Sequence, residues 1–266
     1  MPELPDVENF KKYFKKYALY KNIKDISAES KKLIHKSVFD DFKNELIGDK
    51  FFSAERRGKY LISEFKKSSK KLVFHFGMTG YLLYNKEETD KTIPYSQVRF
   101  KFKDGGVLHY INKRMLGKIY LVDEVSEINA LAGIGHEPLK LSEKMFFDLL
   151  KENKNRNIKA FLMDQSQIAG IGNEYSDEIL FHSGINPKRK IDSLSKKEKE
   201  KLFDKIKTIL KKAIKVNPAN NNFDESWLLS HRGRGDDMLC PKNKKHKLKK
   251  ETISGRSSVY CSKCQK

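Results

Sequence analysis

Val98-Arg99-Phe100-Lys101-Phe102-Lys103-Asp104-Gly105-Gly106-Val107 reads as one half-buried strand turning into the next. One valine and two phenylalanines alternate with cations, the period-2 pattern of a strand with one face on a core and one in water. Asp104-Gly105-Gly106 is a hairpin turn, and the strand resumes at Val107. Working outward, Leu72 to Tyr84 and Lys118 to Val122 are further strands, so residues 22–125 are expected to be mainly β. Residues 5–20 precede them as an amphipathic helix, with Val7, Phe10, Phe14 and Tyr17 on one face and Pro5 near the start. This half reads as an antiparallel sandwich or barrel behind an N-terminal helix.

Residues 126–141 carry Gly133, Gly135 and Pro138 and read as a connection. Beyond them the period becomes helical. Ser142 is placed to cap a helix bearing Met145, Phe146, Leu149 and Leu150, and further helices are expected near 156–163 and 174–182. Ser195 and Glu198 form a capping-box pattern ahead of Leu202, Phe203, Ile206, Ile209, Leu210, Ala213 and Ile214, spaced at about 3.6 residues per turn. The expected fold class is α+β in two domains. The expected division is 1–125 (helix plus β-sandwich), 126–141 (linker), 142–235 (helical) and 236–266 (a C-terminal β-hairpin).

The 266 residues include 55 Lys and Arg against 35 Asp and Glu, a formal net charge of +20. Such an excess contributes nothing to a fold but attracts a polyanion: DNA, RNA or an anionic surface. A lysine-rich proteome would produce the same excess, so charge alone decides nothing. A run of about 20 apolar residues, the length that spans a bilayer, is absent. Met1-Pro2-Glu3-Leu4-Pro5-Asp6 lacks the basic start and apolar core of a signal peptide, and an intracellular protein without membrane partners is expected.

The three cysteines, Cys240, Cys261 and Cys264, all lie near the C-terminus. In an intracellular chain such clustering favours a metal site over disulfides. Cys261-Ser262-Lys263-Cys264 places two thiolates within reach of one zinc ion, and Cys240 lies upstream by a span suited to one hairpin. Asn243 stands where a second such pair would have its cysteine and is a poor ligand, whereas His246 supplies an imidazole. The expected set is Cys240, His246, Cys261 and Cys264 around one structural Zn2+, against a hairpin that holds without metal. So polar a hairpin has little core of its own, which favours the ion.

Removal of Met1 would leave Pro2 as a free secondary amine, and an α-amino group with a pKa near about 8 is partly neutral at physiological pH. A neutral amine attacks a sugar aldehyde carbon to form an iminium, with Glu3 beside it as general acid/base. Read alone, Pro2 is an ordinary chain terminus. Gly170-Ile171-Gly172-Asn173 opens a helix, and its backbone N–H groups suit a phosphate, or else simply a tight helix junction.

These signals occur together, and in this order, in the formamidopyrimidine-DNA glycosylase/endonuclease VIII family, which the chain resembles over its whole length. Pro2-Glu3-Leu4-Pro5-Asp6-Val7-Glu8 is similar to that family's N-terminal signature, with Asp6 in place of the usual Glu. Arg57-Gly58-Lys59-Tyr60-Leu61 resembles the loop with its catalytic lysine. His75-Phe76-Gly77-Met78-Thr79-Gly80 resembles the family's His-x-Gly-Met-Ser-Gly strand and turn, Asp164 to Ser176 the helix-two-turns-helix segment, and Gly255-Arg256 with Tyr260 to Lys266 the closing strand of a zinc finger. The resemblance implies a bifunctional DNA glycosylase/AP lyase of base excision repair acting on damaged double-stranded DNA as a monomer. It implies a prokaryotic cytoplasm, at the nucleoid while on DNA. Pro2 would be the nucleophile at the sugar C1′, Glu3 the proton carrier and Lys59 an assistant near a lesion phosphate, with β- and δ-elimination following. Lys159, Asn173 and Arg256 would grip phosphates. His75 would be a phosphate neighbour, or else a satisfied strand histidine.

Met78, Arg114 and Leu116 would fill the space left by the extruded base, or else Met78 and Leu116 belong to the core. Asn112-Lys113-Arg114-Met115-Leu116-Gly117 departs from the Pro-Arg-Arg-Phe-Gly of many members: Leu116 replaces an aromatic plug and Met115 an arginine. Purine-specific members carry a long loop after the last helix. Here only Val216 to Ser230 precede His231-Arg232-Gly233-Arg234, so oxidised pyrimidines, formamidopyrimidines and abasic sites are expected over 8-oxoguanine. The rival readings are an 8-oxoguanine-preferring member, a catalytically degenerate protein that binds damaged DNA, and an RNA-binding or ribosome-associated zinc-ribbon protein. The last leaves the N-terminal signature unexplained.

Overall fold

The computed structural model describes residues 1–87, 93–217, 223–233 and 238–266. The chain forms two compact units, Met1–Pro2 with Asp6–Gly133, and Glu3–Pro5 with Ile134–Lys266. The expected boundary between 235 and 236, and Arg234, lie outside the described residues.

In the first unit α1 (Leu4–Tyr17) is followed by β1 (Ile23–Ala28), β2 (Ile34–His35), α2 (Phe39–Leu46), β3 (Phe51–Arg57), β4 (Tyr60–Phe65), β5 (Lys71–His75), β6 (Gly80–Asn85), β7 (Ser96–Phe102), β8 (Val107–Asn112), β9 (Lys118–Val122) and a one-turn α3 (Asn129–Ala132). The strands make two sheets, in the orders β1-β7-β8-β6 and β2-β9-β5-β4-β3. Val98, Phe100 and Phe102 of β7 point into the core and Arg99 and Lys101 away from it, as their alternation predicts. Asp104 Oδ1 accepts the Gly106 amide at 3.1 Å, and Gly105 takes φ +88°, a left-handed conformation suited to glycine. Phe14 of α1, Phe51 and Phe74 of the five-stranded sheet and Phe100 of the four-stranded sheet meet in one aromatic cluster, with ring centroids 4.8 to 6.2 Å apart. Each such buried ring contributes about 1.5–3 kcal/mol of transfer free energy, which closes the sandwich around the helix.

Two features differ from the strand-rich expectation. α2 occupies a stretch that periodicity leaves to strands: it is two turns long, and only Phe42 and Leu46 are buried, too few apolar positions to define a period. β2 pairs with β9 in parallel, so the sandwich is not wholly antiparallel.

The second unit contains α4 (Glu143–Glu152), α5 (Ile158–Met163), α6 (Asn173–Ser183) and α7 (Lys196–Val216). Ser142 Oγ accepts the Met145 amide at 3.2 Å, and Ser195 and Glu198 close their capping box reciprocally. Leu202, Ile206, Ile209, Leu210 and Ala213 of α7 bury one face against a core that includes Phe146, Phe161 and Trp227. The C-terminal segment is two hairpins rather than the single one expected: β10 (Leu239–Cys240) with β11 (Asn243–Lys247), and β12 (Lys249–Ile253) with β13 (Arg256–Tyr260). No described helix is long and apolar enough to cross a membrane.

Candidate active site and nucleic-acid interface

Glu3 is buried, and its carboxylate accepts backbone N–H groups of Gly172 at 2.6 Å, Glu174 at 2.9 Å and Tyr175 at 3.3 Å. These are the orphan donors of the α6 N-terminus, where a negative charge is favoured. Three of the amides at this turn are therefore taken by the chain's own Glu3 carboxylate. Leu4 donates its amide to Gly170 O at 2.9 Å and enters the core of the second unit. Gly170 has φ +90°, and a Cβ there would lie 2.8 Å from the Leu4 side chain, so glycine is required for this close approach. Pro2 is the half-buried residue that precedes this anchored pair.

In the first unit Arg57 pairs with Tyr60 across the end of the β3–β4 hairpin, and Gly58 and Lys59 form the turn between them. Arg56 holds that turn through Gly58 O at 3.1 Å and reaches Glu8 of α1 at 2.8 Å. Burial pushes the Glu8 carboxyl up, but hydrogen bonds from Lys11 and Arg56 outweigh it and hold it below the usual carboxylate range. His75 ends β5 with its ring 4.9 Å from that of Tyr60. Burial, with the charges of Lys59 and Lys118, lowers its pKa to about 4. Lys59 precedes Tyr60, the partner of His75 in the β4–β5 ladder, so its charge stands near a neutral imidazole.

Met78 and Leu116 are 41 % and 47 % exposed, and Met115 and Arg114 also stand in solvent. These side chains are not part of the core. Their loops meet: a Cβ on Gly77 would lie 2.5 Å from the Leu116 carbonyl, and Thr79 Oγ1 accepts the Arg114 amide at 3.1 Å. Two apolar tips and one cation are presented together.

Lys159, expected at a phosphate, is placed in the interior of the second unit. It is fully buried, and its Nζ lies 2.6 Å from Asp177 Oδ1. Burial pulls its pKa below the ordinary lysine value, while Asp177 opposes the shift. The enclosed ammonium ties α5 to α6 through Asp177. Asp177, unmarked in the sequence reading, also receives Arg232 Nη1 and Ser258 Oγ at 2.6 Å each and the Val259 amide at 2.9 Å. Glu178 beside it accepts the amides of Leu228 and Leu229. Apart from His182, four residues beyond Glu178, the partners of these carboxylates lie 18 to 82 residues away, so no linear pattern marks Asp177. Asn173 donates from Nδ2 to Ser257 O at 2.8 Å, next to the exposed Arg256, so these two expected phosphate ligands lie on touching elements.

The thiols of Cys240, Cys261 and Cys264 and the imidazole of His246 bring their ligand atoms within 4.8 Å of one another. A tetrahedral ion with metal–sulfur bonds of about 2.3 Å spaces two sulfurs about 3.8 Å apart. Cys240 and Cys264 Sγ are 3.8 Å apart, and His246 Nδ1 lies 3.4 Å from Cys264 and 3.8 Å from Cys261. Burial and the neighbouring thiols push the Cys264 thiol up, whereas burial at Cys261 is outweighed by backbone and thiol hydrogen bonds that hold its thiol down. The residues fit one tetrahedral metal ion. Asn243 stays outside the cluster, with its Oδ1 accepting the Lys245 amide.

A β-sandwich with an anchored N-terminus and a helix-two-turns-helix unit with a Cys/His cluster together define a class of DNA-repair glycosylase. The profile described as the formamidopyrimidine-DNA glycosylase N-terminal domain matches residues 1–119, and that of the formamidopyrimidine-DNA glycosylase H2TH domain matches 134–224. The chain belongs to the formamidopyrimidine-DNA glycosylase family, and so to the DNA glycosylases with AP lyase activity. A formamidopyrimidine-DNA glycosylase of Bacillus cereus is 32 % identical over 282 residues, covering 100 % of this chain and 99 % of its own. The fold superposes on Lactococcus lactis Fpg (MutM) in complex with DNA containing an oxidised pyrimidine, with TM-score 0.86, 28 % identity and full coverage of both chains (100 % each). It likewise superposes on MutM in complex with DNA containing carbocyclic 8-oxo-G, with TM-score 0.85, 27 % identity and 100 % of each chain covered.

Proposed function

We propose that this chain is a bifunctional glycosylase/AP lyase working on damaged double-stranded DNA with Pro2 as nucleophile. The observation that carries the reading is the fastening of the chain end. Termini ordinarily fray, yet here residue 3 is pinned by three backbone amides and residue 4 lies in a core. A residue-2 amine exposed by loss of Met1 is thereby held next to a fixed carboxylate. The Pro2 lone pair attacks C1′ and the N-glycosidic bond breaks with its electrons leaving on the base, which takes a proton from water; the Pro2 N–H proton passes to the Glu3 carboxylate, and Glu3 returns it to the sugar ring oxygen as the ring opens. The resulting iminium acidifies the C2′ proton. Its loss expels the 3′ phosphate, and a second elimination expels the 5′ phosphate. Lys59 and His75 are proposed to hold a phosphate beside the lesion, and Asn173 and Arg256 its neighbours. Met78, Arg114 and Leu116 would enter the stack as the base leaves. The metal is proposed to be one zinc ion held by Cys240, His246, Cys261 and Cys264, which supplies a structural staple and takes no part in the reaction.

Oxidised pyrimidines, formamidopyrimidines and abasic sites are the proposed substrates, favoured over 8-oxoguanine. The support is the loop after α7. Residues 223–233 are packed down: Phe223 stacks on buried Trp227 at 4.8 Å, and Glu178 holds the next two amides. Little chain is left to cover a purine, although residues 218–222 of this loop lie outside the described residues. Fast, cytosine-dependent excision of 8-oxoguanine from a defined duplex would overturn this preference.

The test of the mechanism is borohydride trapping on a labelled duplex with one abasic site, with Pro2→Gly alongside. A covalent protein–DNA band in the wild type that disappears in the variant is expected. Tight binding without a band would mean a protein that recognises damage and performs no chemistry.

A further inference from the structure

The two loops that carry Met78 and Arg114–Leu116 are joined by one buried amide. Asn112 is completely enclosed, and its Oδ1 accepts the Leu116 amide at 3.2 Å. Its Nδ2 donates to Phe76 O at 3.2 Å and to Tyr110 Oη at 3.1 Å. Tyr110 in turn donates to His75 O at 2.8 Å, and burial raises its pKa, so it stays a phenol and the direction of donation is fixed. The chain of bonds runs from the Leu116 loop, through Asn112, to the strand end that carries His75 and opens the Met78 turn. Both loops close on this amide: a Cβ on Gly117 would lie 2.1 Å from Asn112 Nδ2, and one on Gly80 2.9 Å from it. Only a side chain that donates and accepts at once satisfies the three partners.

We propose that Asn112 is a positioning residue for base extrusion, setting the Met78 turn and the Arg114–Leu116 loop in a single register so that their exposed tips enter the duplex together. The proposal rests on the glycosylase reading above. Exposed tips on separate, unfastened loops would each pay ordering entropy at the moment of insertion, and a buried clasp removes that cost beforehand. A residue that merely filled the core would need no hydrogen bonds to two functional loops.

The test uses Asn112→Ala with an abasic site placed in a duplex, and with the same site in a single strand, where no partner base has to be displaced. Borohydride trapping is measured under single-turnover conditions, together with the fluorescence of 2-aminopurine opposite the site, which reports entry of the tips. The expected result is a loss of about tenfold or more on the duplex, with the fluorescence rise abolished and single-strand trapping within about twofold of wild type. Equal losses on both substrates, or no loss on either, overturn the proposal, because damage to folding lowers both alike. If Asn112→Ala does not fold, Thr79→Val decides. It removes the acceptor for the Arg114 amide from a half-buried position, and a smaller loss confined to the duplex supports the clasp, whereas none, or an equal one, overturns it. Absence of trapping by the wild type on either substrate would overturn the glycosylase reading, and this inference with it.

Discussion

In the first unit Met78, Met115 and Leu116 stand apolar in water, whereas in the second Lys159, Asp177 and Glu178 are charged or polar groups sealed from it. Each region inverts the ordinary burial preference, for opposite reasons. The exposed tips cost little as they stand and are useful only against a partner. The buried carboxylates each collect several donors drawn from distant segments, and tie α5, α6, β13 and the 228–232 loop into one body. Substitutions in the second region should therefore read out as stability, and those in the first as activity.

The sharpest stability effect should come from the Cys/His cluster. Its hairpins rest on a small core of Phe181, Leu228, Met238, Leu248 and Val259, so the ion must supply what hydrophobic burial does not. Metal analysis should find one zinc per chain. Removal by a strong chelator, or Cys264→Ser, should melt residues 238–266 in hydrogen exchange, a loss on the order of 10 kcal/mol of metal-coupled folding. Retained protection after complete zinc removal would show that the hairpins are held by packing alone.

Next in size is Asp177→Asn. It keeps the volume but leaves the Lys159 and Arg232 cations without their carboxylate, at a cost of about 3–5 kcal/mol in urea unfolding. A change below about 1 kcal/mol would mean that water already reaches these groups, and the contrast between the two regions would weaken.

The two regions also differ in how far their sequence announces them. The β7 hairpin, α1 and the α7 capping box are local patterns, each complete within a few residues, and the Cys/His spacing encodes its own ligand geometry. Asp177 and Asn112 carry no such mark, since what matters about them is which remote amides and cations they meet. The burial of Lys159 went unread for the same reason: a motif says that a lysine is present, and its tertiary neighbours decide how far it is enclosed. At Gly170–Asn173 the anion-binding turn was readable and the approach of Glu3 was not, because Glu3 lies 169 residues from Gly172 in the sequence. The exposure of Met78 and Leu116 depends on glycines 77 and 117 bringing two turns together, a contact between loops that no periodicity predicts.

A smaller effect is expected at His75. Its folded pKa of about 4, lowered by burial and then by Lys59 and Lys118, lies below the ordinary value of 6.5. Between those values the unfolded chain takes up a proton that the folded chain refuses. The contribution of this group to stability is therefore complete above pH 6.5 and is lost as pH falls towards 4. His75→Gln should flatten that part of the stability–pH curve. A phosphate beside the ring favours the imidazolium, so adding DNA should move the titration of its C2 proton upward in NMR spectra. A midpoint unmoved by DNA would remove His75 from the phosphate site and leave it a strand residue.

The smallest stability effect should come from Met78→Ala and Leu116→Ala, and these two variants test the contrast most directly. Both side chains are more than a third exposed, so truncation leaves no cavity and should change unfolding free energy by no more than about 0.5 kcal/mol. Removing an apolar tip nevertheless withdraws what replaces the lost stacking when a base is extruded, a cost of a few kcal/mol per unstacked step. Single-turnover excision from a duplex should fall on the order of tenfold for each, with binding to undamaged DNA unchanged. If instead either variant lost about 2 kcal/mol of stability, its side chain would be packed in solution. The first unit would then hold its apolar groups as the second holds its charges, enclosed and structural, and the division of labour between the two regions would fail.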